Sequence, residues 1–419
     1  MAIDGRFTTA LREETRKRIE KIDSVDIVVG IPAYYSDASV AHVIRMVIDG
    51  LEAHYPDKKA LIIVSDGGST DDTREVAKEV VTDSFMIDTM VIIYRGVPGK
   101  GTAFRAIFEA AYFLKAKALA LFDSDLKSIT GEWVKRLIDP VLDGSDFVAP
   151  DYYRYKFDGT ITNTLAFNLT RTLYGANIRQ PIGGDFGVSL KLVKYYLDQE
   201  VWESDIAKFG IDIWMTTTAL VGDFEVCQAK LGAKIHGEKD PAADLTPMFR
   251  QVVGTIFLLM ELHEEYWKKV KKTREIKTIG SFQEKEPDAF EINQDTLIDY
   301  FKLGHQNFKG IWEDILETED FAIVEELVEQ EDHRAFNLPV ESWVRIVFRY
   351  ASRFHATPRQ RFKLLDTMIP LYHARVATIV NDLEGKSTKE AEAYYESQAQ
   401  VFERMRDYLH MVWNHSTEG

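Results

Sequence analysis

Cysteine is almost missing from this chain: there is one, Cys227, in 419 residues. No intrachain disulfide framework can form, and the composition suits a reducing compartment. Free cysteine is commonly a small buried hydrophobe, and Cys227 is read that way rather than as a nucleophile. Positive charge is also in short supply. Lys and Arg number 51 against 67 Asp and Glu, giving a formal net charge of −16. That balance argues against a general binder of nucleic acid or anionic membranes, while leaving room for a local basic pocket for phosphate. Long apolar runs are absent too. The longest near the middle, Thr255-Ile256-Phe257-Leu258-Leu259-Met260, falls far short of the ~20 residues a spanning helix needs. Residues Arg6 to Lys21 are charged and helical in pattern, unlike a secretory signal. A cytoplasmic protein is expected, with neither membrane nor nucleic acid as a partner. No internal repeat or low-complexity tract interrupts the chain.

Hydrophobic residues make up 45% and charged residues 28% of the sequence, the balance of a globular protein. The length exceeds what one ordinary core takes, so two domains are expected. In the first half short apolar runs alternate with helical patterns. Ile27–Ile31 reads as a strand, Ala38–Ala53 as a helix, and Ala60–Val64 as a second strand. Met90–Tyr94 is a third, a helix follows to Lys115, and Ala118–Phe122 is a fourth. Strands spaced by helices of this length predict a parallel α/β sheet. Beyond Ile276 the segment Gly280–Asp288 is polar and linker-like, and helical periodicity then dominates: Thr296–Leu303, Phe321–Glu329, Val340–Phe354, Arg359–Asp382 and a last helix after Ser387. Ser387 and Glu390 stand at capping-box spacing. The expected division is therefore an α/β catalytic domain over residues 1–276 and a helical domain over 277–419. Apolar stripes in the helical part exceed what one small domain requires, which suggests a homodimer.

The most informative motif is Asp123-Ser124-Asp125, directly after Ala118-Leu119-Ala120-Leu121-Phe122. A buried strand ending on two carboxylates presents them at the sheet's carboxyl edge, where ligands of open α/β sheets collect. A hard cation such as Mg²⁺ or Mn²⁺ is held by few carboxylates plus the phosphates of its substrate. Four further segments add weight. Asp66 ends a strand ahead of Gly67-Gly68-Ser69-Thr70-Asp71-Asp72, where Asp71 or Asp72 suits a helix cap. Lys100, in Pro98-Gly99-Lys100-Gly101, stands where a strand gives way to a helix whose N-terminus favours anions. Taken alone it reads as a solvated loop lysine. The run Gln180-Pro181-Ile182-Gly183-Gly184-Asp185-Phe186-Gly187 is either a tight turn or backbone made slim for a bulky ligand. A lone histidine such as His236, in Lys234-Ile235-His236-Gly237, is most often structural or exposed, yet a mixed Asp, His and diphosphate shell suits Mn²⁺ or Mg²⁺.

Taken together these segments resemble the nucleotide-diphospho-sugar glycosyltransferases of the GT-A fold, and within it the retaining mannosylglycerate synthase and glucosyl-3-phosphoglycerate synthase families. The motifs in order are Pro32-Ala33, Asp66–Thr73, Pro98–Gly101, Asp123-Ser124-Asp125, Gln180–Gly184, Gly210-Ile211-Asp212 and His236. The run from Leu231 to Gln251 is similar to the phosphoglycerate enzymes; Arg154, Asp158, Thr162, Ala335-Phe336-Asn337 and Trp343 lean toward mannosylglycerate synthase. The resemblance implies a GT-A domain followed by a helical one, and a metal-dependent hexosyltransferase using Mg²⁺ or Mn²⁺. It implies that Pro32, Ala33, Asp66, Lys100, Asp123, Ser124, Ile182, Gly183 and Gly184 hold the nucleotide-sugar donor. Asp125 and His236 would hold the metal, and Arg154, Asp158, Thr162 and Asp212 the small acidic acceptor. Asp212, Asp125 and Lys100 would carry the chemistry. Glucose or mannose would pass from a GDP- or UDP-linked donor, GDP being the first choice, to D-glycerate, with a charged compatible solute as product.

One departure matters. The phosphoglycerate enzymes place an arginine for the acceptor phosphate two residues before the threonine matching Thr162, and this chain has Thr160. The change removes a bidentate phosphate clamp and favours free glycerate over phosphoglycerate, unless a basic residue such as Lys156 compensates. Retention normally suggests a carboxylate nucleophile, for which Asp185 is nearest by position, or else a front-face displacement with no nucleophile. Alternatives are an inverting transferase with Asp212 as base acting on a polysaccharide or lipid-linked acceptor, a nucleotidyltransferase, and a non-catalytic sugar-nucleotide sensor.

Overall fold

A computed structural model describes residues 9–207, 210–235, 246–281, 287 and 289–415. Among them ten strands occur: β1 (Ile27–Ala33), β2 (Ala60–Asp66), β3 (Ile87–Ile93), β4 (Ala118–Leu121), β5 (Phe147–Tyr153), β6 (Ala176–Asn177), β7 (Phe186–Ser189), β8 (Val226–Ala233), β9 (Arg274–Glu275) and β10 (Thr278–Ile279). The chain divides into two units, each assembled from separated segments. The first takes residues 1–153, 178–237 and 276–287, the second 154–177, 238–275 and 288–419.

The first unit is built on an eight-stranded sheet in the order β10-β8-β5-β7-β4-β1-β2-β3. Strands β1 and β2 are buried along their whole length, which is why they read as continuous Val/Ile-rich runs rather than alternating ones. Parallel register sets Ala33 opposite Asp66 and Leu121 opposite Gly30. The carboxyl ends of β1, β2 and β4 therefore finish along one edge, with Asp123 two residues past the end of β4. Gly30 lets the helix Lys100–Phe113 lie close on the sheet, since a Cβ there would come within 2.5 Å of Ile107. That close approach fixes where Lys100, the first residue of the helix, arrives.

Strand β7 was not foreseen. It is only four residues long, follows the glycine-rich turn directly, and runs antiparallel between β4 and β5. Its sequence Phe-Gly-Val-Ser carries too short a pattern to separate from the turn. Gly187 is there because there is no room for more: a Cβ would lie 2.2 Å from the Leu137 carbonyl oxygen.

The second unit is mainly helical, as expected. Helices Gln294–Ile315, Thr318–Glu329, Val340–Ala356, Arg361–Asp382, Thr388–Arg404 and Arg406–His415 follow one another. Ser387 and Glu390 form the capping box that their spacing promised. The helices Gln294–Ile315 and Arg361–Asp382 meet where Gly304 faces Pro370, so closely that a Cβ on Gly304 would fall 2.3 Å from it. The units do not part at residue 276. Helix Thr246–Leu262, expected with the α/β domain, packs in the helical unit, with Phe249 against Tyr372 at 4.9 Å and Phe257 against Phe354 at 5.5 Å between ring centroids. Segment 154–177 joins the same unit, where Trp343 Nε1 donates to the Thr164 carbonyl at 3.1 Å. Apolar burial decided membership, and the local polarity of residues 280–288 did not. No helix among the described residues is long and apolar enough to cross a membrane.

Gly187→Ala should destabilise the first unit by about 1–3 kcal/mol, the usual penalty for overpacking, or more because the obstacle is backbone. Chemical denaturation of the two proteins side by side measures it, and an unchanged midpoint would contradict the crowding around β7.

Candidate active site

The carboxyl edge of the first unit's sheet holds a partly buried ionic cluster centred on Asp123. One oxygen of Asp123 lies 2.7 Å from Lys100 Nζ and the other 3.2 Å from Lys234 Nζ. Its backbone N–H donates to Asp185 Oδ1 at 2.8 Å. Three elements distant in sequence thus converge on the residue that follows β4.

Lys100 is no solvated loop lysine. Its side chain is 17% exposed and turned inward, bridging Asp123 and, at 3.1 Å, Asp212 Oδ2. Burial, the largest single influence on this ammonium, opposes its charge, yet the carboxylates of Asp123 and Asp212 outweigh it and raise its pKa. Asp212 sits in the first turn of the helix Ile211–Val221 and is also buried. Burial pushes its carboxyl above the ordinary range, with the charge of Lys100 opposing. The two preferences conflict, and an ammonium shared by two carboxylates keeps its proton. Among the described residues, buried Asp212 Oδ1 has no hydrogen-bond partner, the kind of orphaned acceptor that native proteins rarely leave without a ligand.

The turn Ile182-Gly183-Gly184 lies against Asp123. Gly184 has φ +89°, and a Cβ on it would fall 2.1 Å from Asp123 Oδ2. Gly183 is equally hemmed in, 2.2 Å from Pro150 by the same measure. Asp185 is fully buried. Its Oδ2 receives Tyr152 Oη and, at 3.1 Å, Lys234 Nζ. Burial raises its pKa, with Lys234 opposing. Lys234 was quoted in the sequence only as a neighbour of His236. In the structure it is 7% exposed and donates also to the Gly183 carbonyl at 2.7 Å. The available signal was its place just past the apolar strand β8.

The other residues expected on a donor side divide by what their side chains touch. Pro32 and Ala33 close β1, and the Gly67 N–H donates to the Ala33 carbonyl at 2.8 Å. Asp66 is fully buried. It accepts from the Gly68 and Ser69 N–H groups at 2.9 and 3.0 Å and from Ser69 Oγ at 2.5 Å, so its carboxylate shapes its own turn. Asp72 is the N-cap of the next helix, Thr73–Glu79, but makes no side-chain cap bond, while Asp71 before it accepts from Thr73 N–H at 3.2 Å. Ser124 Oγ shares a 2.7 Å hydrogen bond with Ser36 Oγ and pins the loop after β1. On that loop the rings of Tyr34 and Tyr35 are 62% and 52% exposed.

Asp125 is half-buried and makes no hydrogen bond or ion pair among the described residues. His236, its expected companion, lies outside the described residues. Among the described residues no group of three or more His, Cys, Asp or Glu side chains converges as a ready-made metal centre. The donor set still suits a hard dication. Three carboxylates (Asp123, Asp185, Asp212) stand against two ammonium groups (Lys100, Lys234), with Asp125 following two residues after Asp123, and a diphosphate would meet that surplus only with a cation beside it.

Arg154, Asp158 and Thr162 belong to the second unit, whereas Asp212 belongs to the first. Within the second unit Arg154 Nε donates to Asp158 Oδ2 at 2.7 Å. Thr162 opens a π-helical turn, Thr162–Ala166, a rare conformation that is frequent at functional sites. Thr160 is buried and its hydroxyl meets Tyr372 Oη at 2.5 Å. Lys156 Nζ donates to the carbonyls of Leu383 and Lys386, each at 2.9 Å.

Residues 28–202 match the family model described as glycosyl transferase family 2. The matched stretch, less than half of the chain, contains Asp66, Lys100, Asp123, Asp125 and the Gly183-Gly184 turn. No curated protein matches in sequence. Among solved structures the chain is similar to glucosyl-3-phosphoglycerate synthase from Mycobacterium tuberculosis. A complex with Mn²⁺, uridine diphosphate and glucosyl-3-phosphoglycerate shares 21% identity over 60% of this chain and 84% of that one, with a TM-score of 0.44. A complex with Mn²⁺, UDP-glucose and phosphoglyceric acid shares 22% over 60% and 85%, also at 0.44.

Gly184→Ala should cripple the site twice over, by forcing a side chain into the left-handed region and by driving Asp123 off its lysines. Titration of UDP or GDP with Mn²⁺ should show nucleotide affinity reduced at least tenfold relative to wild type; equal affinities would contradict the packing of Gly184 on Asp123.

Proposed function

We propose that this protein is a retaining, metal-dependent hexosyltransferase that moves glucose or mannose from a nucleotide-diphospho-sugar to D-glycerate. The observation that carries the reading is Lys100 held between Asp123 and Asp212 at the carboxyl edge of a glycosyltransferase domain. Pro32, Ala33, Asp66, Asp123, Ser124 and the turn Ile182-Gly183-Gly184 would form the donor side. Asp66 and Ser124 would act by shaping the loops, since their side chains are engaged there.

Asp125 and His236 would hold a Mg²⁺ or Mn²⁺ ion, which when bound neutralises charge on the departing diphosphate. Lys100 supplies a second positive centre fixed before the donor arrives, and preorganised charge of this kind is usually the largest catalytic contribution. Asp212 is gripped by Lys100 through Oδ2 and can take the acceptor hydroxyl's hydrogen bond on Oδ1. The acceptor oxygen bonds to the anomeric carbon on the face that the phosphate oxygen leaves. The hydroxyl proton passes to that departing oxygen, so the products are the glycoside and a nucleoside diphosphate. Asp185 serves as a brace in this scheme.

The preference for glycerate rests on the second unit's own residues. Thr160 and Lys156, the two positions from which a phosphate clamp was sought, are committed to Tyr372 and to helix-end carbonyls. Arg154, ion-paired to Asp158 at 2.7 Å, and Thr162 would serve the acceptor carboxylate.

Incubation with GDP- and UDP-linked glucose and mannose, each against D-glycerate and 3-phosphoglycerate with Mg²⁺, tests the assignment. Transfer to glycerate should exceed transfer to phosphoglycerate; no transfer from any pair would refute it. Asp125→Ala should lose most activity, on the order of 100-fold or more, while melting near the wild-type temperature, and unchanged turnover in saturating Mg²⁺ would remove Asp125 from the metal. A fluorinated donor should leave no covalent adduct on Asp185, and recovery of a glycosylated Asp185 peptide would replace the single front-face step by double displacement.

A further inference from the structure

We propose that Lys234 is the positioning residue of the donor side, a proposal that rests on the donor reading above. Its ammonium meets Asp123 Oδ2 at 3.2 Å, Asp185 Oδ2 at 3.1 Å and the Gly183 carbonyl at 2.7 Å. These groups come from the end of β4 and from the glycine turn before β7, while Lys234 itself stands just past β8. A lysine has three N–H donors and no acceptor, and here three acceptors from two other segments surround it. Tyr152 completes the nest, its ring centroid 4.9 Å from Nζ and its hydroxyl on Asp185.

Stability alone does not account for the arrangement. Buried ion pairs often contribute no more than well-packed apolar residues of similar volume would. What the ammonium adds is fixed geometry. It holds one oxygen of Asp123 and leaves the other to Lys100. It also aims the Gly183 carbonyl inward, which orients the Gly183–Gly184 peptide beside Asp123. Both groups assigned to the donor, Asp123 for the nucleotide and the Gly183-Gly184 backbone for the sugar, are thereby set by one side chain that need touch neither nucleotide nor sugar.

The test uses Lys234→Met, Lys234→Arg and the double variant Lys234→Met with Asp185→Asn. Lys234→Met should raise the KM for the donor on the order of 10- to 100-fold, the usual cost of removing a supporting partner, with the acceptor KM unchanged. Lys234→Arg should recover part of the loss. The double variant removes the buried carboxylate left unpaired, so it should fold even where Lys234→Met does not, and its donor KM should stay high. Full recovery in the double variant would overturn the proposal, because Lys234 would then only neutralise Asp185. So would a donor KM insensitive to Lys234, or an equal rise in both KM values. Calorimetric titration of UDP and GDP with Mn²⁺ on the same variants separates the two claims. If the wild type transfers no sugar but its nucleotide affinity falls in Lys234→Met, the hexosyltransferase reading fails and the positioning role stands. A wild type that binds neither nucleotide overturns both.

Discussion

The site hangs on one carboxylate with a lysine on each oxygen. Asp123 stands between the ammonium groups of Lys100 and Lys234, both within 3.2 Å of it, and a second carboxylate, Asp212 or Asp185, shares each lysine. Withdrawing one member leaves an uncompensated buried charge, a change that costs about 3–5 kcal/mol in comparable pairs. The five groups therefore form a unit, and an argument about any one of them is an argument about the others.

Such a cluster needs its members delivered from far apart, and the fold does this with rigid parts. Parallel register between β1, β2 and β4 lines up their carboxyl ends. The helix that starts at Lys100 is seated by Gly30, and β7 is inserted beside β4 so that Asp185 reaches the Asp123 N–H. Glycine appears where backbone or carboxylate must come closer than a Cβ allows, most clearly at Gly184. The glycine turn lies in a loop, but the charges sit at the ends of strands and in the first turns of helices, where small rotations do little to displace them.

The legible parts of the sequence were those in which local pattern and long-range structure agree. Continuous apolar runs marked β1, β2 and β4 because strands buried on both faces tolerate nothing else, and Asp123-Ser124-Asp125 stood out because carboxylates ended such a run. The capping box at Ser387 was readable because both partners lie within four residues. Lys234 was not, since its partners are 111, 51 and 49 residues away and nothing in Ala233-Lys234-Ile235 announces burial. Lys100 was picked for its motif, yet its inward turn depends on Asp212, 112 residues on. The division at residue 276 failed for a related reason: composition marks polar stretches, whereas units are set by which apolar faces meet, and helix Thr246–Leu262 meets the helices that follow it.

The same cluster bears on how configuration would be retained. A carboxylate nucleophile must offer a lone pair to the sugar and must be ionised when it attacks. Asp185 is poorly equipped on both counts. Its oxygens face the Asp123 N–H, the Tyr152 hydroxyl and the Lys234 ammonium, no part of the residue is exposed, and burial pushes it toward the protonated form. Asp212 has the opposite character, with one oxygen anchored and the other, among the described residues, without a hydrogen-bond partner. An anchored acceptor of that kind steers a hydroxyl; it need not attack. If the sugar leaves and arrives on one face, the proton must travel with it, and the nearest strong base at that moment is the phosphate oxygen being released. The residues around Asp123 would then serve chiefly to keep that oxygen and the incoming hydroxyl on the same side.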